Sequence, residues 1–191
     1  MNLATVIEDH DADRPALISR GKVTTYGELR DQVAHVRGAL VARGVAPGDR
    51  VAIVAANNWY FVTAYLAVLG VGAIAVPLNP QSPPPEIERE LALAGVRLAL
   101  VGPTERPPVA GVEAAALPGF EGSVGVGDLL DGEPAPLIDR SADDVAVLLF
   151  TSGTAGASRP AMLTHGNLSS NVTQILTQPE RPGGVDEVAL G

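Results

Sequence analysis

The sequence predicts an α/β fold, a mostly parallel sheet flanked by helices, and three observations carry that expectation. Helical stretches alternate along the first hundred residues with short unbroken aliphatic runs, Val51-Ala52-Ile53-Val54, Ala73-Ile74-Ala75-Val76 and Leu98-Ala99-Leu100-Val101. Runs of this kind suit strands covered on both faces, as parallel strands are. The joints hold glycine or proline, at Gly44 and Pro47-Gly48, Gly70 and Gly72, Pro83-Pro84-Pro85 and Gly95. Helix and strand alternating with short joints imply right-handed crossovers within one sheet.

Taken in order, Thr25-Tyr26-Gly27-Glu28 has the spacing of a capping box, with Thr25 accepting from the third helical N–H and Glu28 reaching back. Leu29, Val33, Val36 and Leu40 then form one apolar stripe at helical spacing, ended by Gly44 and Pro47-Gly48. Trp59 to Leu78 is an uncharged stretch that meets the length rule for a membrane span. Gly70, Gly72 and Pro77 interrupt its second half and no polybasic flank orients it, so the better reading is a buried helix over 58–69, a glycine turn and a strand at 73–76. After the three prolines, Glu86 to Leu91 places acidic residues in the first turn of a helix that stops at Gly95.

Residues 102–142 are rich in Gly and Pro and read as an irregular connection holding one short strand at most, with apolar pieces such as Val112 to Leu117. Strand character resumes at Val145 to Phe150, where Asp143-Asp144 caps the entry, and again at Ala161 to Thr164; a helix is expected from Asn167 to before Pro179. Val185 to Gly191 looks like the start of another strand, as if the chain were cut in mid-domain. The expected organisation is therefore helix-strand units over 1–101, the connection over 102–142, and strand, loop, strand and helix over 143–191.

The 191 residues allow one ordinary domain or two small ones, and 46% hydrophobic residues exclude disorder along the whole chain. Aromatics are only 4%, so the core must be built from Ala, Val, Leu and Ile. A net charge of −9 lacks the positive field that draws proteins to nucleic acid or anionic lipid. With no cysteine, disulfides, thiolate zinc sites and a Cys nucleophile are excluded. The amino terminus has no basic region ahead of a long apolar run, so no secretory signal is read and a cytoplasmic protein is expected.

The stretch that carries chemistry is Phe150-Thr151-Ser152-Gly153-Thr154-Ala155-Gly156-Ala157-Ser158-Arg159-Pro160. Glycines let successive amides converge on an anion, the hydroxyls of Thr151, Ser152 and Thr154 add neutral donors, and Arg159 offers a planar cationic fork. The residues suit a polyphosphate, but not as a Walker loop, whose Gly-Lys-Ser/Thr ending is missing. Ser, Thr and Gly are also the ordinary vocabulary of hairpin turns. Context decides between the two. Thr151 to Gly156 followed by Thr164-His165-Gly166-Asn167-Leu168 resembles the adenylate-forming, AMP-binding superfamily: acyl-CoA synthetases, luciferases and peptide-synthetase adenylation domains, whose signature reads T-S-G-T-T-G-x-P-K-G and then T-H-x-N. Upstream, Thr25-Tyr26-Gly27-Glu28-Leu29, Gly48-Asp49-Arg50-Val51-Ala52-Ile53 and Leu69 to Pro80 are similar to the amino-terminal region of that family, in the same order.

The resemblance implies that Thr151, Ser152, Gly153, Thr154 and Gly156, with Arg159 in place of the usual lysine, hold the β- and γ-phosphates of ATP brought with Mg2+. It implies an ATP-dependent ligase that converts a carboxylic acid, a fatty or other acyl acid, to acyl-AMP and passes it to coenzyme A. The acyl pocket, adenine motif, ribose-binding aspartate and late catalytic lysine of the family are expected beyond Gly191, since Lys22 is the only lysine. No catalytic residue or metal ligand is therefore assigned within the chain, which is expected to be the amino-terminal part of the enzyme and inactive alone. Ala155, Ser158, Arg159 and Pro160 depart from the signature, and Pro160 removes an amide donor and fixes φ. A non-catalytic nucleotide-binding scaffold and an amino-acid-activating domain serving a carrier protein stay open. Gly70 to Ala75 has dinucleotide-fingerprint spacing but runs from helix to strand, the reverse of what pyrophosphate binding needs. His10, His35 and His165 share no metal-ligand spacing, and His165 is read as architecture beside the loop.

Overall fold

A computed structural model describes residues 2–19, 21–102, 120, 122–150 and 160–177. The chain opens with a 3₁₀ turn, Leu3–Ile7, capped by the Asn2 side chain, which accepts from the Ala4 amide. A hairpin follows, β1 (Pro15–Ser19) against β2 (Lys22–Thr25). Neither element has the periodic signature of the later helices and strands. Helix α1 (Tyr26–Ala42) then starts on the expected capping box, with Thr25 Oγ1 accepting from Glu28 N and Glu28 Oε2 accepting from Thr25 N. The stripe Leu29, Val33, Val36 and Leu40 is buried, as its spacing predicts.

Next come β3 (Arg50–Val54), α2 (Trp59–Gly70), β4 (Ile74–Leu78), α3 (Pro84–Ala94) and β5 (Leu98–Val101). The uncharged stretch from Trp59 is thus a helix of 12 residues, a turn at Gly72 with φ +75°, and a strand. No helix among the described residues is long and apolar enough to cross a membrane. The α3 helix begins earlier than its acidic turn suggests, with Pro84 and Pro85 inside it. Prolines are well accommodated there, because the first-turn N–H groups have no intrahelical partner to lose.

The connection contributes β6 (Ser123–Gly125) and a 3₁₀ turn at Gly127–Leu129; Val112 to Leu117 lie outside the described residues. The following stretch lies on α1, where Arg37 Nε donates to Ala135 O at 2.6 Å and the Gly38 backbone leaves no room for a Cβ beside Glu133 O. Burial lowers the pKa of this guanidinium, against the opposing pull of Glu8. Finally β7 (Val145–Phe150), β8 (Pro160–Thr164) and α4 (His165–Thr177) follow, with Val185 to Gly191 outside the described residues.

The main sheet has the order β6-β5-β3-β4-β7-β8, parallel except for β8, which runs antiparallel to β7. Side chains alternate across it, as a strand period of two dictates. Val51 and Ile53 face the core shared with α1 and α2, whereas Ala52 and Val54 join Ile87, Leu91 and Ala94 of α3 on the other side. The result is a sheet with helices on both faces.

Candidate functional site

Parallel pairing of β3 with β4 and β5, and of β4 with β7, brings the carboxyl ends Val54, Leu78, Val101 and Phe150 to one edge of the sheet. Open α/β sheets bind ligands at that edge, beside the point where strand order reverses. Here β4 lies on one side of β3 and β5 on the other, so the reversal falls beside β3. Asn58 caps α2 there by accepting from Phe61 N, and the Trp59 and Tyr60 rings stack with centroids 3.7 Å apart. Gly102 donates to Val54 O, and a Cβ on it would stand 2.6 Å from the Ala55 methyl. This glycine lets the loops after β3 and β5 touch.

The sequence-predicted site residues Thr151, Ser152, Gly153, Thr154, Gly156 and Arg159 lie outside the described residues. Their anchors are described. Phe150 pairs with Pro160, and from that pair the ladder runs back to Val145 opposite Thr164. The loop therefore leaves the carboxyl edge and returns as the antiparallel partner of the same strand. A hairpin and a ligand loop are thus not exclusive here, because residues 151–159 exceed the roughly two to five residues that close an ordinary hairpin. Pro160 opens an edge strand, a position where a missing N–H costs no ladder bond toward solvent.

At the other end of the hairpin, Thr164 and Asn167 cap α4 reciprocally: Thr164 Oγ1 accepts from Asn167 N at 3.1 Å and Asn167 Oδ1 accepts from Thr164 N at 3.0 Å. His165 N donates to Asp144 O and Gly166 N to Ala142 O. A Cβ at Gly166 would come within 3.0 Å of Ala142 O, so the helix start needs a glycine or a shift of that strand entry. The His165 side chain is 1% exposed, and its Nδ1 accepts from Leu3 N at 3.1 Å. Accepting at Nδ1 places the proton on Nε2, which is buried without a hydrogen-bond partner among the described residues. Burial pushes the imidazole pKa below its ordinary value, Arg140 and the amino terminus add to the shift, and Asp144 opposes it. His165 is thus neutral architecture, as its sequence context suggests.

Asp144 also does what was expected of Asp143-Asp144: its Oδ2 accepts from Ser141 N and pairs by charge with Arg140, whose Nε stands 3.0 Å away, closing the turn that leads into β7. Sequence reasoning passes over Asn2 and Leu3, whose only local signal is an Asn in front of a short helical turn. It also gives no hint that Gly102 reaches Ala55. His10 stacks on Tyr26, His35 contacts Gly132 O, and among the described residues no three His, Asp or Glu side chains are grouped to hold a metal.

This arrangement has counterparts. The AMP-binding enzyme family matches residues 4–191. The chain belongs to that family. A feruloyl-CoA synthase of Amycolatopsis is 37% identical over 170 residues, 89% of this chain and 34% of that protein. Phenyloxazoline synthase MbtB of a Mycobacterium strain is 36% identical over 160 residues, 82% of this chain and 13% of that protein. The crystal structure of ATP-bound MatB from Rhodopseudomonas palustris superposes with a TM-score of 0.75 at 31% identity, covering 92% of this chain and 37% of that one. The fold is that of the amino-terminal part of adenylate-forming enzymes. The chain spans about a third of the length of the feruloyl-CoA synthase it matches.

Proposed function

We propose that this AMP-binding family chain supplies the triphosphate-holding loop of an acid–thiol ligase that activates a carboxylic acid as acyl-AMP and transfers the acyl group to coenzyme A. The observation that carries the reading is that the T-S-G-T-A-G sequence falls between β7 and β8, directly after the carboxyl end of a strand whose parallel neighbour ends at the same edge of the sheet. Thr151, Ser152 and Thr154 would donate hydroxyls to the β- and γ-phosphates, Gly153 and Gly156 would let the backbone approach them, and Arg159 would supply a planar cation. Mg2+ would arrive with the nucleotide and neutralise part of its charge, which matters in a chain whose net charge is −9. The loop's part in the chemistry is to hold the departing pyrophosphate while the carboxylate oxygen attacks the α-phosphorus.

Coenzyme A is favoured as the acceptor by the similarity to a feruloyl-CoA synthase; the similarity to a fatty acid–acyl-carrier-protein ligase of Streptomyces coeruleorubidus keeps a carrier-protein thiol as the second reading. Calorimetric titration of the 191-residue chain with MgATP is expected to show saturable binding that weakens at least tenfold in Arg159→Ala, the loss of about one charge-assisted contact. Absence of MgATP binding by the unaltered chain favours the scaffold reading instead. Acyl-CoA formation by these 191 residues, which span about a third of the feruloyl-CoA synthase they match, is expected to be undetectable, and turnover would refute that expectation.

A further inference from the structure

The hairpin that carries residues 151–159 is joined to the sheet by β7, whose Ala146, Val147 and Leu148 are buried and whose backbone bridges β4 at Ala75 and Val147. At the hairpin's base, the amino-terminal turn is bolted to three separate elements. The buried Asn2 side chain donates to Leu69 O at the end of α2 and to Ile138 O in the stretch before β7, at 2.6 and 2.9 Å. Leu3 N donates to His165 Nδ1 at the start of α4. The Leu3 amide belongs to the first turn of a helix, where N–H groups have no partner within the turn. In a buried setting that amide needs an outside acceptor, and His165 provides one.

We propose that His165 is a positioning residue: by accepting the Leu3 amide it latches the amino-terminal turn to the base of the β7–β8 hairpin and so holds the two strands that bracket residues 151–159. The consequence for nucleotide rests on the function proposed above, but the latch does not. Without it, the hairpin keeps its own ladder and the buried face of β7, but the start of α4 loses its tie to the amino-terminal turn and the base of the hairpin should open more often.

Leu3→Pro removes the donor with little backbone disturbance. Asn2 already has φ −86° and ψ 131°, which suit a residue before proline, and proline is accepted at the first position of a helical turn. Leu3→Ala keeps the amide and loses the same side-chain packing, so it is the control. Hydrogen exchange on the 191-residue chain is expected to quicken about tenfold in the β7–β8 ladder of Leu3→Pro relative to Leu3→Ala, the size of one net hydrogen bond, while β3–β4 amides do not change. His165→Phe should reproduce the effect, and His165→Asn, which keeps a short acceptor, should restore part of the protection. Nitrogen NMR of the unaltered chain should find the His165 proton on Nε2. Equal ladder exchange in Leu3→Pro and Leu3→Ala, or a proton on Nδ1, overturns the latch. MgATP affinity should fall in Leu3→Pro but not in Leu3→Ala; if the unaltered chain binds no MgATP while its ladder still responds to Leu3→Pro, the latch stands and the nucleotide reading fails.

Discussion

The two halves of the main sheet differ most at their outer edge. Around β3, strands pair in parallel along their length and are sealed on both faces, with Val51, Ala52 and Ile53 wholly buried. Around β7 and β8, the inner strand is buried through Ala146, Val147 and Leu148, but the outer strand is antiparallel and Met162 is 69% exposed. Both halves owe their order to apolar burial, which has no preferred direction; the second adds individual polar ties at His165, Asp144 and Thr164, where the hairpin begins and ends. Directional bonds of this kind fix one end of a hairpin, and each can be removed singly.

Substitutions should separate the two halves. Ile53→Ala, which empties a fully buried position in β3, is expected to cost about 3 kcal/mol, read as a lower denaturant midpoint with an unchanged slope. Thr25→Ala and Thr164→Ala each remove a reciprocal cap and should cost about 1 kcal/mol. The comparison predicts that Thr25→Ala lowers the global midpoint while Thr164→Ala mainly quickens exchange in α4 and the hairpin. Equal global effects would mean that the hairpin unfolds with the sheet as one unit.

Acid should act on the second half through His165. Its folded-state pKa lies below the ordinary 6.5, so as pH falls the unfolded chain takes up this proton before the folded chain does. The stability tied to the neutral imidazole is therefore complete above pH 6.5 and is lost as pH falls from there through the lower folded value. In His165→Asn this part of the pH profile between 6.5 and the acid transition should flatten. Met162→Ala completes the series: at an exposed position of the edge strand it should change stability by no more than about 0.5 kcal/mol, measured by thermal unfolding.

Legibility in the sequence follows the same division. The apolar stripe of α1, the aliphatic runs of β3 and β5, and the turns at Gly72 and Gly95, both at positive φ, are readable because each is a local pattern with a local cause. The T-S-G-T-A-G and T-H-G-N segments are readable as chemistry and as a family signature, and the second proves to be a reciprocal helix cap joined to a buried histidine. The β1–β2 hairpin and the amino-terminal turn are not readable, since short elements with half-exposed residues leave no strong period.

The sequence by itself determined which segments between Tyr26 and Val101 become helix or buried strand, because propensity, periodicity and turn chemistry act over a few neighbouring residues. Only the tertiary structure decided that β8 turns back against β7, that Gly102 meets Ala55, that Asn2 ties the end of α2 to the stretch before β7, and that Leu3 holds the start of the last described helix. Those contacts join residues as far as 162 positions apart, and a backbone amide finding an imidazole across that separation leaves no trace in the order of either neighbourhood.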